Sequence, residues 1–385
     1  MEIFKQRLTY DNGAIIQQNQ IISDEFLVLE EQISNSIDAC VDYYNPLTEE
    51  YSKEIVIEVI KIRGKKNERK IILRDNAFGM SINPNKDYRI FHSSKRNDSR
   101  TVGMHGMALF SVLNLCNDIQ IETKHRTGNY FRFGFTPKTF RVSNKKSPEI
   151  EIQKIKAHRN DLSSGTTITL TKFKKGVFED IDLRQLKKEF EKHFEHILRR
   201  KRITIKLKEN DGEAIICQSF RYSDYCDTPY EKTLTKLYRT NSKKYNTEIE
   251  YDISKNPVKM FIIASRNRDL KRGLDLVVGG VGVNEISKID QFRTYKKYAI
   301  WSRGNVGGYI DATGVLEVNP TRKDIKKTEL SKAFFSTLNK LEPEILEYIE
   351  SQSAISNSER FQEIECKINE ILREYKINKE STERN

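Results

Sequence analysis

The sequence predicts an α/β protein, a two-layer sandwich of helices on sheets, arranged as two successive domains. Three observations predict it. Helical periodicity over residues 23–44 gives way to a series of strand-like stretches that ends near residue 172. A basic amphipathic helix follows over 182–200, with Leu183, Leu186, Phe190, Phe194 and Ile197 recurring every three to four residues. A second set of strands comes after it, and helices return from about Glu329.

A chain of 385 residues is long enough for one to three domains with a sizeable core. Hydrophobic content of 37% against 32% charged residues is polar but still globular, which excludes a disordered chain. The net charge of +12 favours anionic partners: nucleotide, nucleic acid or acidic protein surfaces. Lys, Ile and Asn are abundant throughout, so compositional drift explains the same charge equally well. No apolar run is long enough to span a bilayer, and Met1–Arg7 lacks the apolar stretch of a signal peptide. A cytoplasmic location follows, or a nuclear one in a eukaryote, with no membrane partner. The five cysteines are scattered and unpaired in sequence, which suits a reducing compartment and argues against zinc or a disulfide framework. His193 and His196 read as ordinary surface histidines.

The first helix is expected from an N-cap at Ser23 to about Tyr44, with Pro46 beyond it. It carries Glu31, Asn35 and Asp38 at i, i+4 and i+7, one face of a helix. Ile33, Ile37 and Val41 follow another line, suited to packing under a sheet. A solvated polar face accounts for Glu31, Asn35 and Asp38 as well as a functional one does.

Strands are expected over 54–62 and 69–74, with a turn at Gly64–Asn67 between them and Asp75-Asn-Ala-Phe-Gly79-Met80 after the second. Asp75 alone fits a hairpin-turn aspartate. Residues 81–102 read as a loop ahead of Gly103, with Lys95 either a phosphate contact or a solvated lysine. Gly103-Met-His105-Gly106-Met107-Ala108 opens an apolar helix to about Leu115, and backbone N–H groups at such a helix start make an anion site. Strands follow near 118–124, 129–135, 149–155 and 166–172, the last entered through Gly165-Thr166.

Beyond the basic helix and its Arg199-Arg-Lys-Arg202 end, strands are expected near 203–208, 213–219, 258–264, 274–284 and 306–318, with a polar stretch over 238–256. Two helices are expected over 329–351 and 359–375, with the last ten residues disordered.

An acidic helix, a strand ending in Asp, a glycine-rich loop before a helix and a Gly-Thr strand, in that order, resemble the motif set of the GHKL (Bergerat) ATP-binding fold. Gyrase, Hsp90, histidine kinases and MutL belong to that family. His92-Ser-Ser-Lys95 ahead of the glycines resembles the MutL lid, and the C-terminal half is more similar to MORC proteins. Val318-Asn-Pro320-Thr-Arg322-Lys323-Asp-Ile325 resembles the stretch that supplies their γ-phosphate-sensing lysine, with Lys323 the first choice and Arg322 the second.

The resemblance implies a GHKL domain over residues 1–180, an S5-like transducer domain with its linking helix over 181–350, and a helical or flexible tail over 351–385. It implies ATP and Mg²⁺ as cofactors. Glu31 would activate the water, Asn35 would hold Mg²⁺, and Asp75 would accept from the adenine amine. Asp38, Gly79, Met80, Lys95, Gly103, His105, Gly106, Met107, Ala108 and Thr166 would complete the nucleotide site, with Lys323 as the catalytic sensor. The family's first glycine after the Asp is here Ala77, which takes a positive φ less cheaply.

The implied function is an ATP hydrolase that dimerises on ATP, its N-terminal arm crossing to the partner. It would act as a clamp in a DNA process such as repair, silencing, topology or defence, with a nuclease or other partner subunit. The alternative is an Hsp90-like chaperone ATPase. A histidine kinase would need a phosphoacceptor hairpin ahead of the first helix, and a catalytically dead scaffold would not need Glu31.

Overall fold

The computed structural model describes residues 2–9, 25–42, 53–62, 68–82, 88–89, 112–126, 128, 130–140, 149–155, 164–199, 203–226, 228–241, 247–265, 270, 272–293, 299–319 and 324–382. They fall into two compact units. The first takes Met1–Phe220 with Val277–Val283 and Glu317–Asp324; the second takes Arg221–Leu276, Asn284–Leu316 and Ile325–Asn385.

The first unit is built on a ten-stranded mixed sheet. Its strands are β1 (Glu2–Thr9), β2 (Lys53–Lys61), β3 (Arg69–Asp75), β4 (Tyr88–Arg89), β5 (Cys116–Lys124), β6 (Tyr130–Phe135), β7 (Glu149–Ile155), β8 (Gly165–Phe173), β9 (Ile203–Glu209) and β10 (Ile215–Ile216). Their spatial order is β10-β9-β2-β3-β8-β5-β6-β7-β1-β4. Helix α1 (Glu25–Asp42) packs on β2 and β3, α2 (Leu183–His193) on α1 and β9, and α3 (Glu195–Arg199) on β9.

Alternation in the strands builds the core row by row. Val59, Ile71, Leu170, Ile119 and Phe135 lie side by side across five strands, and Ile57, Leu73, Ile168, Ile121 and Phe133 form the next row. All ten are buried. Side chains of this size contribute about 1.5–3 kcal/mol each when fully buried. Ile33 and Ile37 of α1 join the same core, as the sequence suggests.

Several elements differ from expectation. The expected domain boundary at residue 180 does not coincide with the compact unit, which continues to Phe220. The reason is β9, which pairs in parallel with β2 from Lys53↔Ile203 to Val59↔Glu209 and so extends the first sheet. The basic helix breaks at Phe194 into α2 and α3, and Asp182 caps its start by accepting from the Arg184 N–H at 2.8 Å. The strand expected over 213–219 shrinks to β10. Residues 2–9, expected as a polar arm, form β1 antiparallel to β7. Opposite charges face each other in that register: Glu2 and Lys154, Lys5 and Glu151, Arg7 and Glu149. Of the helix expected over 108–115, only its end lies among the described residues, as a 3₁₀ turn over Val112–Asn114.

The later strands are β11 (Tyr230–Leu234), β12 (Lys236–Asn241), β13 (Thr247–Asp252), β14 (Val258–Ala264), β15 (Leu274–Val278), β16 (Val281–Glu285) and β17 (Val306–Asp311), with a short helix α4 (Asp290–Arg293); all belong to the second unit except the Val277–Val278 end of β15 and the Val281–Val283 start of β16, which group with the first. Five form a sheet in the order β11-β14-β17-β15-β16, and β12 pairs with β13. The polar stretch 238–256 is therefore a hairpin. It rests on the long helix α5 (Glu329–Thr382), where Tyr238 N–H donates to Thr337 Oγ1 at 2.7 Å and Lys340 lies over the Tyr238 ring at 5.1 Å. One strand expected over 274–284 is two, because Gly279 and Gly280 both have positive φ and turn the chain. The strand expected to run to residue 318 ends at Asp311.

The two C-terminal helices are one helix of 54 residues that also takes in most of the tail expected to be disordered. The polar Ser351–Ser358 stretch reads as a break, but it holds no glycine or proline to stop a helix. Pro343 is tolerated inside α5. No described helix is long and apolar enough to cross a membrane.

Candidate functional site

At one end of the β3, β8 and β5 strands the apolar rows give way to a polar one. Asp75, Thr166 and Thr123 stand side by side, next in line after Leu73, Ile168 and Ile121. Thr123 and Thr166 are buried, and their hydroxyls meet at 3.1 Å. Thr123 Oγ1 also accepts from the Met80 N–H at 2.7 Å.

Asp75 is the centre of this row. Its Oδ1 accepts from the backbone N–H groups of Ala77 and Thr166, both at 3.1 Å. Its Oδ2 accepts from the Ser36 hydroxyl of α1 at 3.0 Å. A carboxylate offers about four acceptor positions, so the three donors found among the described residues leave room for one more. Burial pushes the Asp75 carboxyl above its ordinary range, and the bonds from Ala77, Ser36 and Thr166 pull the other way. The accessible surface leaves Asp75 half-buried. Together these describe a carboxylate poor in water whose acceptor capacity the described donors do not exhaust.

The turn after Asp75 is fixed from three sides. Asn76 Oδ1 accepts from Glu54 N–H at 2.8 Å, and Ala77 O accepts from Ser164 Oγ at 2.6 Å. Arg126 N–H donates to Phe78 O at 3.1 Å, with its guanidinium over the Phe78 ring at 5.7 Å. Ala77 is buried and is not among the positive-φ residues, so alanine stands there without strain. Gly79 is different: φ is +72°, and a Cβ would lie 2.1 Å from Lys124 O. Gly165 has φ +146°, and a Cβ there would lie 2.0 Å from Asp75 O. Both glycines let strands close around the carboxylate.

On α1, Glu31 and Asp38 are 6% and 5% exposed, whereas Asn35 is exposed. The three therefore do not form a uniformly solvated polar face. Cys40 lies in the electrostatic reach of both Asp75 and Lys53. Burial pushes the Cys40 thiol up to about 12, with the Asp75 charge adding to it, and pulls the Lys53 ammonium down to about 8. Among the described residues, no group of three or more His, Cys, Asp or Glu is placed to hold a metal. Asn35 offers a hard amide oxygen of the kind that serves Mg²⁺ when phosphates supply further ligands.

The structure thus brings Asp75, Gly79, Met80 and Thr166 together, with α1 joined to them through Ser36. Lys95, Gly103, His105, Gly106, Met107, Ala108, Arg322 and Lys323 lie outside the described residues. Ser36 and Thr123 were not singled out from the sequence. The signal for Thr123 is there: it takes the inward place after Ile119 and Ile121 in an alternating strand. Ser36 gives none beyond its place next to Asn35.

Two surface assignments change. His193 and His196 are half-buried; His193 sits 3.9 Å from the Glu30 carboxylate and edge-on to Phe194. Arg199 is paired with Glu195 at 2.8 Å, while Arg200, Lys201 and Arg202 lie outside the described residues.

No curated protein matches the chain. Residues 23–172 match the family model described as histidine kinase-, DNA gyrase B-, and HSP90-like ATPase. That stretch holds α1, the Asp75 turn and the Gly165-Thr166 strand, so the polar row lies within the part of the chain that is similar to ATP-binding domains of the GHKL type.

Proposed function

We propose that this chain is a Mg²⁺-dependent ATP hydrolase whose ATP-driven dimerisation acts as a clamp or switch in a DNA-related process, in the manner of MORC and MutL proteins. The observation that carries the reading is the Asp75 carboxylate, which three donors among the described residues hold without using all its acceptor positions. An adenine amine is the donor that completes it. Gly79 and Met80 border the base, and Thr166 fixes the carboxylate through its N–H.

Asn35 would hold Mg²⁺, which would supply positive charge to offset that of the phosphates. Glu31, little more than one helical turn earlier, orients the attacking water and takes its proton. Asp38 lies on the adenine side. Lys95 and the Gly103–Ala108 stretch, with His105, Gly106 and Met107, cradle the phosphates. Lys323 reports the γ-phosphate from an S5-like transducer.

The test is turnover by the purified chain. ATP hydrolysis should require a divalent cation and stop with chelator; no turnover under any divalent ion overturns the reading. Duplex DNA should bind with an affinity that falls steeply with salt, about 0.9 counterion being released per neutralised phosphate. A chain that hydrolyses ATP but binds no DNA at low salt is an ATPase acting on protein.

A further inference from the structure

The polar row across β3, β8 and β5 closes from one end to the other. Asp75 is half-buried, Thr166 is 7% exposed and Thr123 is wholly buried. Thr123 therefore cannot meet a ligand itself. Whatever it does for one, it does through the groups bonded to its hydroxyl: Met80 N–H, Gly165 O and the Thr166 hydroxyl.

A hydroxyl has one hydrogen to give and two lone pairs that receive. At Thr123 Oγ1 one lone pair takes the Met80 N–H at 2.7 Å. The hydrogen has two takers, Gly165 O at 3.4 Å and Thr166 Oγ1 at 3.1 Å. If it goes to Gly165 O, the second lone pair of Thr123 receives the Thr166 hydrogen, and both hydroxyl hydrogens have an acceptor. If it goes to Thr166, the Thr166 hydrogen is left over, because Thr123 is the one hydrogen-bond partner of that hydroxyl among the described residues. Buried polar hydrogens are bonded as a rule, so the first arrangement holds.

In that arrangement the Thr166 hydrogen is spent on Thr123, and Thr166 Oγ1 has only lone pairs left to offer. It stands directly beside Asp75 in the strand register, and the Asp75 carboxylate is also an acceptor. Two acceptors side by side suit an amino group, which brings two hydrogens. They repel a carbonyl oxygen in the same place, which brings none.

We propose that Thr123 is a positioning residue of the nucleotide site: by taking the Thr166 hydrogen it fixes Thr166 Oγ1 as an acceptor and so selects a 6-aminopurine over a 6-oxopurine. This rests on the ATP reading above, and it assigns part of the base selectivity to a residue that never touches the base. Asp75 supplies one acceptor of the pair, and Thr123 sets the sense of the other.

The test reads the ratio of ATP to inosine triphosphate affinity, by calorimetry on the full chain with Mg²⁺ present. The parent should favour ATP. Thr123→Val keeps the shape and removes the hydroxyl, which frees the Thr166 hydrogen to meet a 6-oxo group, and the ratio should fall about tenfold. Thr123→Ser should hold the parent ratio. In a Thr166→Val background, adding Thr123→Val should leave the ratio unmoved, because no hydroxyl remains to be turned. A merely structural Thr123 would weaken both nucleotides alike in either background, and that result overturns the proposal, as does a parent ratio near one. Should Thr123→Val lose its cooperative melt, Thr166→Val alone decides: it leaves the Met80–Thr123 bond in place, and an unchanged ratio overturns the proposal. A parent that binds neither nucleotide sinks the ATP reading itself, and this inference with it.

Discussion

Thr166 stands directly opposite Asp75 in the β3–β8 register and donates its backbone N–H to Asp75 Oδ1 at 3.1 Å. The bond does not use the threonine side chain, whose hydroxyl is turned to Thr123. The carboxylate is therefore oriented by the main chain, and the threonine's chemistry serves the row behind it.

Asp75→Asn should separate stability from binding. The amide oxygen can keep the Ala77 and Thr166 bonds, and the amide nitrogen can donate to Ser36 Oγ. Burial raises the folded carboxyl above its unfolded value, so the ionised form opposes folding. That contribution to stability is complete below the ordinary Asp range and is lost as pH rises through the folded value. The variant, which carries no charge, should melt at the same temperature as the parent or higher at pH 7, and the gap should close in acid. ATP affinity should fall about 10- to 100-fold, because an acceptor with charge has been lost. Calorimetry showing unchanged affinity would place the nucleotide elsewhere.

Glu31→Ala should leave ATP affinity intact and reduce turnover about 10²- to 10⁴-fold. Glu31 is buried on α1 and belongs, on the proposed reading, to the water rather than the nucleotide. Single-turnover hydrolysis is the measurement, and a parent-like rate would remove Glu31 from the chemistry.

Gly79→Ala should destabilise the chain by about 1–3 kcal/mol through its left-handed backbone, with the approach of Lys124 O adding to that. Gly176→Ala is the comparison. Its φ is +85°, but a Cβ would meet nothing within 4 Å, so its loss should be smaller. Denaturant melts of the two variants read the difference, and equal losses would mean that the Lys124 approach costs nothing.

The site was legible where chemistry breaks a pattern. Asp75 ends a buried strand, and Thr166 follows a glycine into an alternating one, so both stand out in the sequence. Gly79 was legible as a glycine of the turn, though not that its space is taken by the backbone of a neighbouring strand. Ser36 was hidden, because a serine on a helix face says nothing about a carboxylate 39 residues away. Long-range pairing was hidden too. Nothing local in Ile203–Glu209 says that it runs parallel to β2, and nothing in the serine-rich part of α5 says that the helix continues.

Lys323→Ala should bind ATP with parent affinity yet turn it over slowly and fail to compact with a non-hydrolysable analogue. An ammonium is a point charge, so its contact vanishes with the terminal phosphate. Small-angle scattering with analogue and with ADP reads the compaction. If Arg322→Ala shows the defect and Lys323→Ala does not, the sensor is Arg322. Normal behaviour in both would break the proposed coupling.

The parallel pairing of β9 with β2 also decides where this chain can be cut. A fragment ending at residue 180 would contain the whole stretch matched by the family model. It would still leave β2 as a bare edge along Lys53–Val59, and it would strip Leu186, Phe190 and Phe194 from the core. Open edges of that kind recruit other strands. Such a fragment should precipitate by edge-to-edge association, and a soluble nucleotide-binding piece has to reach at least Phe220.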